Sequence, residues 1–134
     1  TRPGGTRGFG EDTSRVVRDM LEAVVETGTG NRAAIAGYRV AGKTGTVHKA
    51  TAEGYAEDRY VSLFAGMLPA SRPRLVAVVM IDEPRAGEYF GGTVAAPVFS
   101  AALRDIARIL NITPDALPDL RGARMAVSEA RGAD

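Results

Sequence analysis

The chain has 134 residues, 45% hydrophobic and 25% charged, a globular composition whose length suits one domain or a piece of a larger one. A net charge of +1 gives no electrostatic case for nucleic acid or for an anionic membrane surface, and the absence of cysteine excludes disulfides, thiol nucleophiles and cysteine-bound metal. The longest apolar run, Leu75 to Ile81, is too short to span a bilayer, and a start at Thr1 without a leader-like stretch is read as a natural N-terminus lying elsewhere.

Thr1 to Gly10, with four glycines and a proline, reads as a linker. Asp12 to Glu26 is predicted as a helix capped by Asp12 or Thr13, with Val16, Val17, Met20, Leu21, Val24 and Val25 as its apolar face. Thr27-Gly28-Thr29-Gly30 stops it, glycine taking the left-handed geometry of a helix end. Three strands follow. Tyr38 to Val47 is the first, and Ala50 to Arg59 is a polar connection. Tyr60 to Leu68 is the second, Pro69 to Pro73 a short turn, and Arg74 to Asp82 the third. So short a turn makes strands two and three antiparallel neighbours. The third is apolar from Leu75 to Ile81, which predicts an interior strand covered on both faces. After a Gly- and Pro-containing loop over Glu83 to Gly92, Pro97 is expected in the first turn of a last helix that buries Val98, Leu103, Ile106, Ala107 and Leu110. Residues 119–134 are expected to form a flexible tail. The fold class is therefore α/β of the α+β type, an antiparallel sheet flanked by helices.

One stretch fits two catalytic motifs. Gly37 to Thr44 matches G-x-x-x-x-G-K-T, a phosphate loop, and Lys43-Thr44-Gly45-Thr46 matches the K-T-G motif of penicillin-recognising serine enzymes. A phosphate loop needs a strand before the glycines and a helix opening at the lysine, so that free amides meet the phosphates. Here a helix precedes the motif and Gly45-Thr46-Val47 is a poor helix start. Val78 to Asp82 imitates the strand and aspartate that hold magnesium, but it follows a tight turn instead of a crossover helix. K-T-G-T instead needs a strand bordering a cleft. On such a strand the Thr46 amide can serve as an oxyanion donor, and Gly45 leaves room for a substrate lying alongside. Lys43 offers positive charge, and Thr44 and Thr46 offer hydroxyls for a carboxylate. The remaining alternative is a non-catalytic interaction domain.

Further segments carry a resemblance in the same order. They are Val24-Val25 with Gly28-Thr29-Gly30, Gly42 to Thr46, Leu63-Phe64-Ala65-Gly66 with Pro69-Ala70, Val78 to Pro84, and Tyr89-Phe90-Gly91-Gly92 with Val94 to Phe99. Over roughly residues 12 to 118 the chain resembles the C-terminal part of the transpeptidase domain of class B penicillin-binding proteins, in particular the division-specific enzymes of Gram-negative bacteria. The resemblance implies a segment at residues 1–118 of a peptidoglycan D,D-transpeptidase that works through a serine acyl-enzyme and is acylated by β-lactams. It implies Lys43 in proton transfer and carboxylate attraction, with the Thr46 amide as half of an oxyanion hole. Thr44, Gly45, Thr46 and Val47 would line the substrate or β-lactam, as would Tyr89, Phe90, Gly91 and Gly92 from the loop after the third strand. For Tyr89 and Phe90, aromatic packing beneath that loop is an equal alternative. No metal or cofactor is expected. The implied partners are stem peptides, β-lactams, the preceding part of the same domain and division proteins, and the implied location is the periplasm, on an inner-membrane anchor outside this chain.

The chain departs from the family pattern in one respect. Ser14, Ser62, Ser71, Ser100 and Ser128 are its only serines; none has lysine three residues on, and no S-x-N motif occurs. The nucleophile is expected on a preceding segment, and the isolated chain is expected to be inactive. His48, the only histidine, is read as a cleft-rim residue, Asp82 and Glu83 as a solvated strand end, and Glu57-Asp58-Arg59 as an exposed connection.

Overall fold

The structure, a computed structural model, describes residues 5, 6, 8–52, 54–85 and 87–116. The expected boundary at residue 118 and the expected tail fall outside them. Helix α1 (Glu11–Glu26) leads through a single 3-10 turn (Asn31–Ala33) to β1 (Ala41–Thr51), β2 (Gly54–Leu68) and β3 (Leu75–Asp82), and helix α2 (Gly91–Ile109) follows. The strands form one antiparallel sheet in the order β1-β2-β3.

The predicted number and order of elements agree with this architecture; several boundaries do not. Helix α1 starts at Glu11, capped by Gly10 with no side-chain bond, so Asp12 sits in its first turn and favours the positive end of the helix dipole. Gly28 and Gly30 are not left-handed. Gly28 is instead pressed so close to Val24 that a Cβ would stand 2.9 Å from its carbonyl oxygen. The expected connection Ala50 to Arg59 is mostly strand. β1 and β2 continue past the end of β3 as a two-stranded ribbon, with a register shift between His48 and Ala50, and Glu57-Asp58-Arg59 lies within β2. Helix α2 begins six residues before Pro97, which lies inside it. The residues it buries are Gly91, Ala95, Ala96, Phe99, Leu103 and Ala107, a stripe that repeats every four residues apart from Ala96. Val98, Ile106 and Leu110 are exposed.

The core lies between α2 and one face of the sheet. Phe64 and Phe99 are fully buried, their rings tilted with centroids 4.8 Å apart, and Val25, Val40, Leu68, Ala95 and Leu103 surround them. Gly42 stands against the Phe64 ring, where a Cβ would come within 2.6 Å of it. A buried carboxylate, Glu22, receives two hydrogen bonds at 2.6 and 2.7 Å from the Arg39 guanidinium, whose pKa that hydrogen bond raises. After α2 the chain straps back across the sheet's end. The Tyr38 hydroxyl donates to the Ile112 carbonyl at 2.6 Å, and the Asp115 carboxylate accepts from the Arg39 amide at 2.7 Å and the Ser71 hydroxyl at 2.6 Å.

The expectation for β3 fails in an informative way. It is an edge strand with alternating burial. Leu75, Ala77, Val79 and Ile81 pack on the core, while Val76, Val78 and Met80 are 74%, 65% and 65% exposed. Helix α2 packs on β3 and takes one face; the apolar sequence of the other face has no covering element among the described residues. Val16, Val17 and Met20 of α1, predicted to be buried, are exposed as well. An apolar groove of about 440 Å³ runs between α1 and the sheet, lined by Phe9, Val17, Leu21, Met67 and Pro73 among others.

Candidate active site

The phosphate-loop reading fails on backbone alone. Gly37 lies in a turn at φ 85°, and β1 runs unbroken through Lys43 to Thr51, so no helix opens at the lysine. Lys43 to Val47 instead lie along β1, at the free edge of the sheet. Alternation divides them between faces. Thr44 and Thr46 pair with Phe64 and Ser62 on the face that meets α2, and Lys43, Gly45 and Val47 pair with Ala65, Leu63 and Val61 on the other.

The start of α2 closes over the two threonines. Gly91 and Gly92 are required there by close approach: a Cβ on Gly91 would collide with the carbonyl oxygens of Leu63 and Gly45, and one on Gly92 with that of Thr29. The Gly91 amide donates to Thr46 Oγ1 at 3.0 Å. Between the strand, the helix start and the loop after α1 lies a cavity of about 320 Å³, lined by Thr29, Asn31, Arg32, Thr44, Thr46, Phe90, Gly91, Gly92 and Thr93. No acidic side chain is among these. A guanidinium, the positive end of a 19-residue helix and four threonine hydroxyls make the space favourable to an anion. Lys43 adds to this from the edge. Its ammonium folds back to donate to the Thr44 carbonyl at 3.0 Å and to Thr44 Oγ1 at 3.1 Å. Thr44 Oγ1 also lies 3.2 Å from Thr29 Oγ1.

Five of the residues expected at the site thus share one cavity: Thr44, Thr46, Phe90, Gly91 and Gly92. Lys43 reaches it through Thr44, whereas Gly45, Val47 and Tyr89 do not line it. Tyr89 and Phe90 differ. Tyr89 is half-buried in a ladder of rings, stacked on Tyr60 with centroids 4.2 Å apart, and Tyr60 in turn meets His48 at 4.6 Å. The Ser62 hydroxyl donates to the Tyr89 carbonyl and so fixes the loop from below. Phe90, 55% exposed, faces the cavity. In the sequence Thr29 stands out only as part of a helix stop and of the Gly28-Thr29-Gly30 segment, and Asn31, Arg32 and Thr93 do not stand out at all. Only the Thr-Gly-Thr-Gly composition hinted at a close backbone approach there.

Asp82 and Glu83 are not a simple solvated end. The Lys49 ammonium donates to Asp82 at 2.9 Å and to Glu83 at 2.8 Å, with Arg59 3.9 Å from Glu83. The hydrogen bond from Lys49 lowers the Glu83 pKa, and that to Glu83 raises the Lys49 pKa. The cluster ties the strand ends beside the loop that carries Tyr89 and Phe90. Among the described residues no group of three His, Cys, Asp or Glu could hold a metal ion, and no helix is long and apolar enough to cross a membrane.

An edge strand bearing K-T-G-T, backed by a helix whose first glycines close on it, defines a domain of the penicillin-recognising transpeptidase class. The chain belongs to the family described as penicillin binding protein transpeptidase domain, which matches residues 2–104. It is 47% identical over 114 residues to the peptidoglycan D,D-transpeptidase FtsI of Escherichia coli K12, covering 84% of this chain and 19% of that protein. It is 52% identical over 107 residues to the probable peptidoglycan D,D-transpeptidase PbpC of Pseudomonas aeruginosa, covering 79% and 19%. The chain therefore spans about a fifth of the length of these curated relatives. Among solved structures, the apo transpeptidase domain of Burkholderia pseudomallei penicillin-binding protein 3 superposes with a TM-score of 0.77 at 48% identity, covering 87% of this chain and 35% of that one. Penicillin-binding protein 3 of Mycobacterium tuberculosis, complexed with ampicillin, does so with a TM-score of 0.74 at 32% identity, covering 89% and 28%.

Proposed function

We propose that this chain is the K-T-G-T wall of a peptidoglycan D,D-transpeptidase that crosslinks stem peptides at division. The observation that carries the reading is the cavity in which Thr44 and Thr46 meet the start of α2, with the Lys43 ammonium on the Thr44 hydroxyl. In the complete enzyme a serine from outside this chain attacks the penultimate D-alanine carbonyl of a stem pentapeptide and the terminal D-alanine leaves. An amine of a second stem then takes the acyl group and frees the serine. Lys43 assists the proton transfers and attracts the substrate carboxylate, which the Thr44 and Thr46 hydroxyls bind. The Thr46 amide supplies half of the oxyanion hole. Gly45 and Val47 let the acyl chain run along the β1 edge, while Tyr89 and Phe90 border its side chains.

β-Lactams would acylate the same serine, in keeping with the ampicillin complex of the Mycobacterium tuberculosis relative. The unpaired β3 edge, the bare Val76, Val78 and Met80, and the α1 groove fit packing by the remainder of the domain, since the chain matches only 35% of the length of the Burkholderia pseudomallei transpeptidase structure. The relatives' names support a complete protein acting on peptidoglycan. The reading extends to a periplasmic domain, an inner-membrane anchor and division proteins as partners.

The test is labelling with a fluorescent penicillin. The complete protein should label covalently, Lys43→Ala should slow labelling by about 100-fold or more, and this chain alone should not label. A folded complete protein that takes no label would overturn the assignment.

A further inference from the structure

Thr29 has no part in the mechanism just described, yet its hydroxyl stands 3.2 Å from that of Thr44 inside the same cavity. A hydroxyl has one proton and two lone pairs. At Thr44 one lone pair is already committed, because the Lys43 ammonium can only donate, and does so at 3.1 Å. The direction of the Thr29–Thr44 bond then decides what Thr44 shows to a ligand. If Thr44 gives its proton to Thr29, it turns a lone pair toward the cavity and repels a carboxylate. If Thr29 gives its proton to Thr44, both lone pairs are filled and the Thr44 proton has nowhere to go but outward.

Thr46 offers a parallel. Its Oγ1 accepts the Gly91 amide at 3.0 Å, a donor that cannot reverse, so its own proton is free for an acceptor in the cavity. We propose, building on the transpeptidase reading, that Thr29 is a positioning residue: it donates to Thr44 and so fixes the Thr44 hydroxyl as a donor toward the carboxylate of the ligand. In this arrangement the loop after α1 and the first amide of α2 orient the two threonines from opposite sides. Each threonine then presents a proton to the anion. Selection for a carboxylate over a neutral group at that position is the property that Thr29 sets.

The experiment measures acylation of the complete protein by a fluorescent penicillin and by the methyl ester of the same compound, and reads the ratio of the two second-order rate constants. Both probes report only on folded protein, so a loss of stability cancels in the ratio. Thr29→Val should lower the acid-to-ester ratio about fivefold, the scale of one hydrogen bond. Thr29→Ser, which keeps the donor, should restore it. In a Thr44→Val background the same Thr29→Val change should leave the ratio unmoved. Equal slowing with both probes would show a purely structural role and overturn the inference, as would a fall in the ratio that persists without the Thr44 hydroxyl. A wild-type protein that labels normally, with a ratio indifferent to Thr29, sinks this inference and leaves the transpeptidase assignment intact. A wild-type protein that labels with neither probe sinks both.

Discussion

The two faces of β2 and β3, where these strands pair, are both largely apolar and have opposite fates. On one face Phe64, Leu68 and Val79 meet α2, and the edge of that packed face carries Thr44 and Thr46 into the cavity. On the other, Val76, Val78 and Met80 stand in a row with no cover among the described residues. The first face is a finished core that positions chemistry. The second presents large apolar side chains to solvent side by side.

The contrast can be broken at four places. Phe64→Ala on the finished face should cost about 4 kcal/mol, from lost transfer energy and the cavity left against Phe99. Urea denaturation of the complete protein would measure it, and a loss below 1 kcal/mol would mean that the core does not rest on this ring. Gly91→Ala should cost about 2 kcal/mol by overpacking against the Leu63 and Gly45 carbonyls, and should also slow penicillin labelling because it displaces the amide that holds Thr46. Unchanged labelling would separate the helix start from the site.

The third change concerns Asp115. Burial pushes its carboxyl up, but the Ser71 hydroxyl and main-chain amides outweigh burial, so its pKa lies below the ordinary carboxylate value. A depressed folded pKa contributes stability that is full above the unfolded value of about 4 and is lost as pH falls through the folded one. Asp115→Asn should cost about 1 kcal/mol at pH 7, and the cost should shrink below pH 4 in thermal melts across that window. A cost independent of pH would refute it. The smallest effect is expected from Val78→Lys on the bare face, within about 0.5 kcal/mol for this chain alone. The same change should destabilise the complete protein clearly, and equal tolerance in both would mean that the face stays open.

What was legible in the sequence was what local pattern encodes. The Pro69 to Pro73 turn, the apolar runs and the K-T-G-T tetrad are enough to predict three antiparallel strands and to put Thr44 and Thr46 on a strand that borders a cavity. The ribbon that β1 and β2 form beyond the end of β3 is not legible because its sequence lacks the period-2 apolar alternation that signals a strand; pairing register carries it instead. The β3 run predicts burial on both sides because unbroken apolarity is the pattern of a doubly covered strand; its alternating burial comes from α2 packing on one face, which the run itself does not encode. Thr29, Asn31 and Arg32 escaped notice because a loop folded across the strand brings them to the cavity, and no spacing rule encodes that approach.

Gly42 occupies the place where the phosphate-loop pattern demanded a flexible glycine. Its missing side chain instead makes room for a ring: Phe64 fills the space from below and Phe99 backs it. The seating of the reactive strand on the core is thus fixed at Gly42 by direct contact with a phenyl ring. Position 42 carries no chemistry, yet a mutational screen scored on penicillin labelling should find it as intolerant as the lysine beside it, for a mechanical reason.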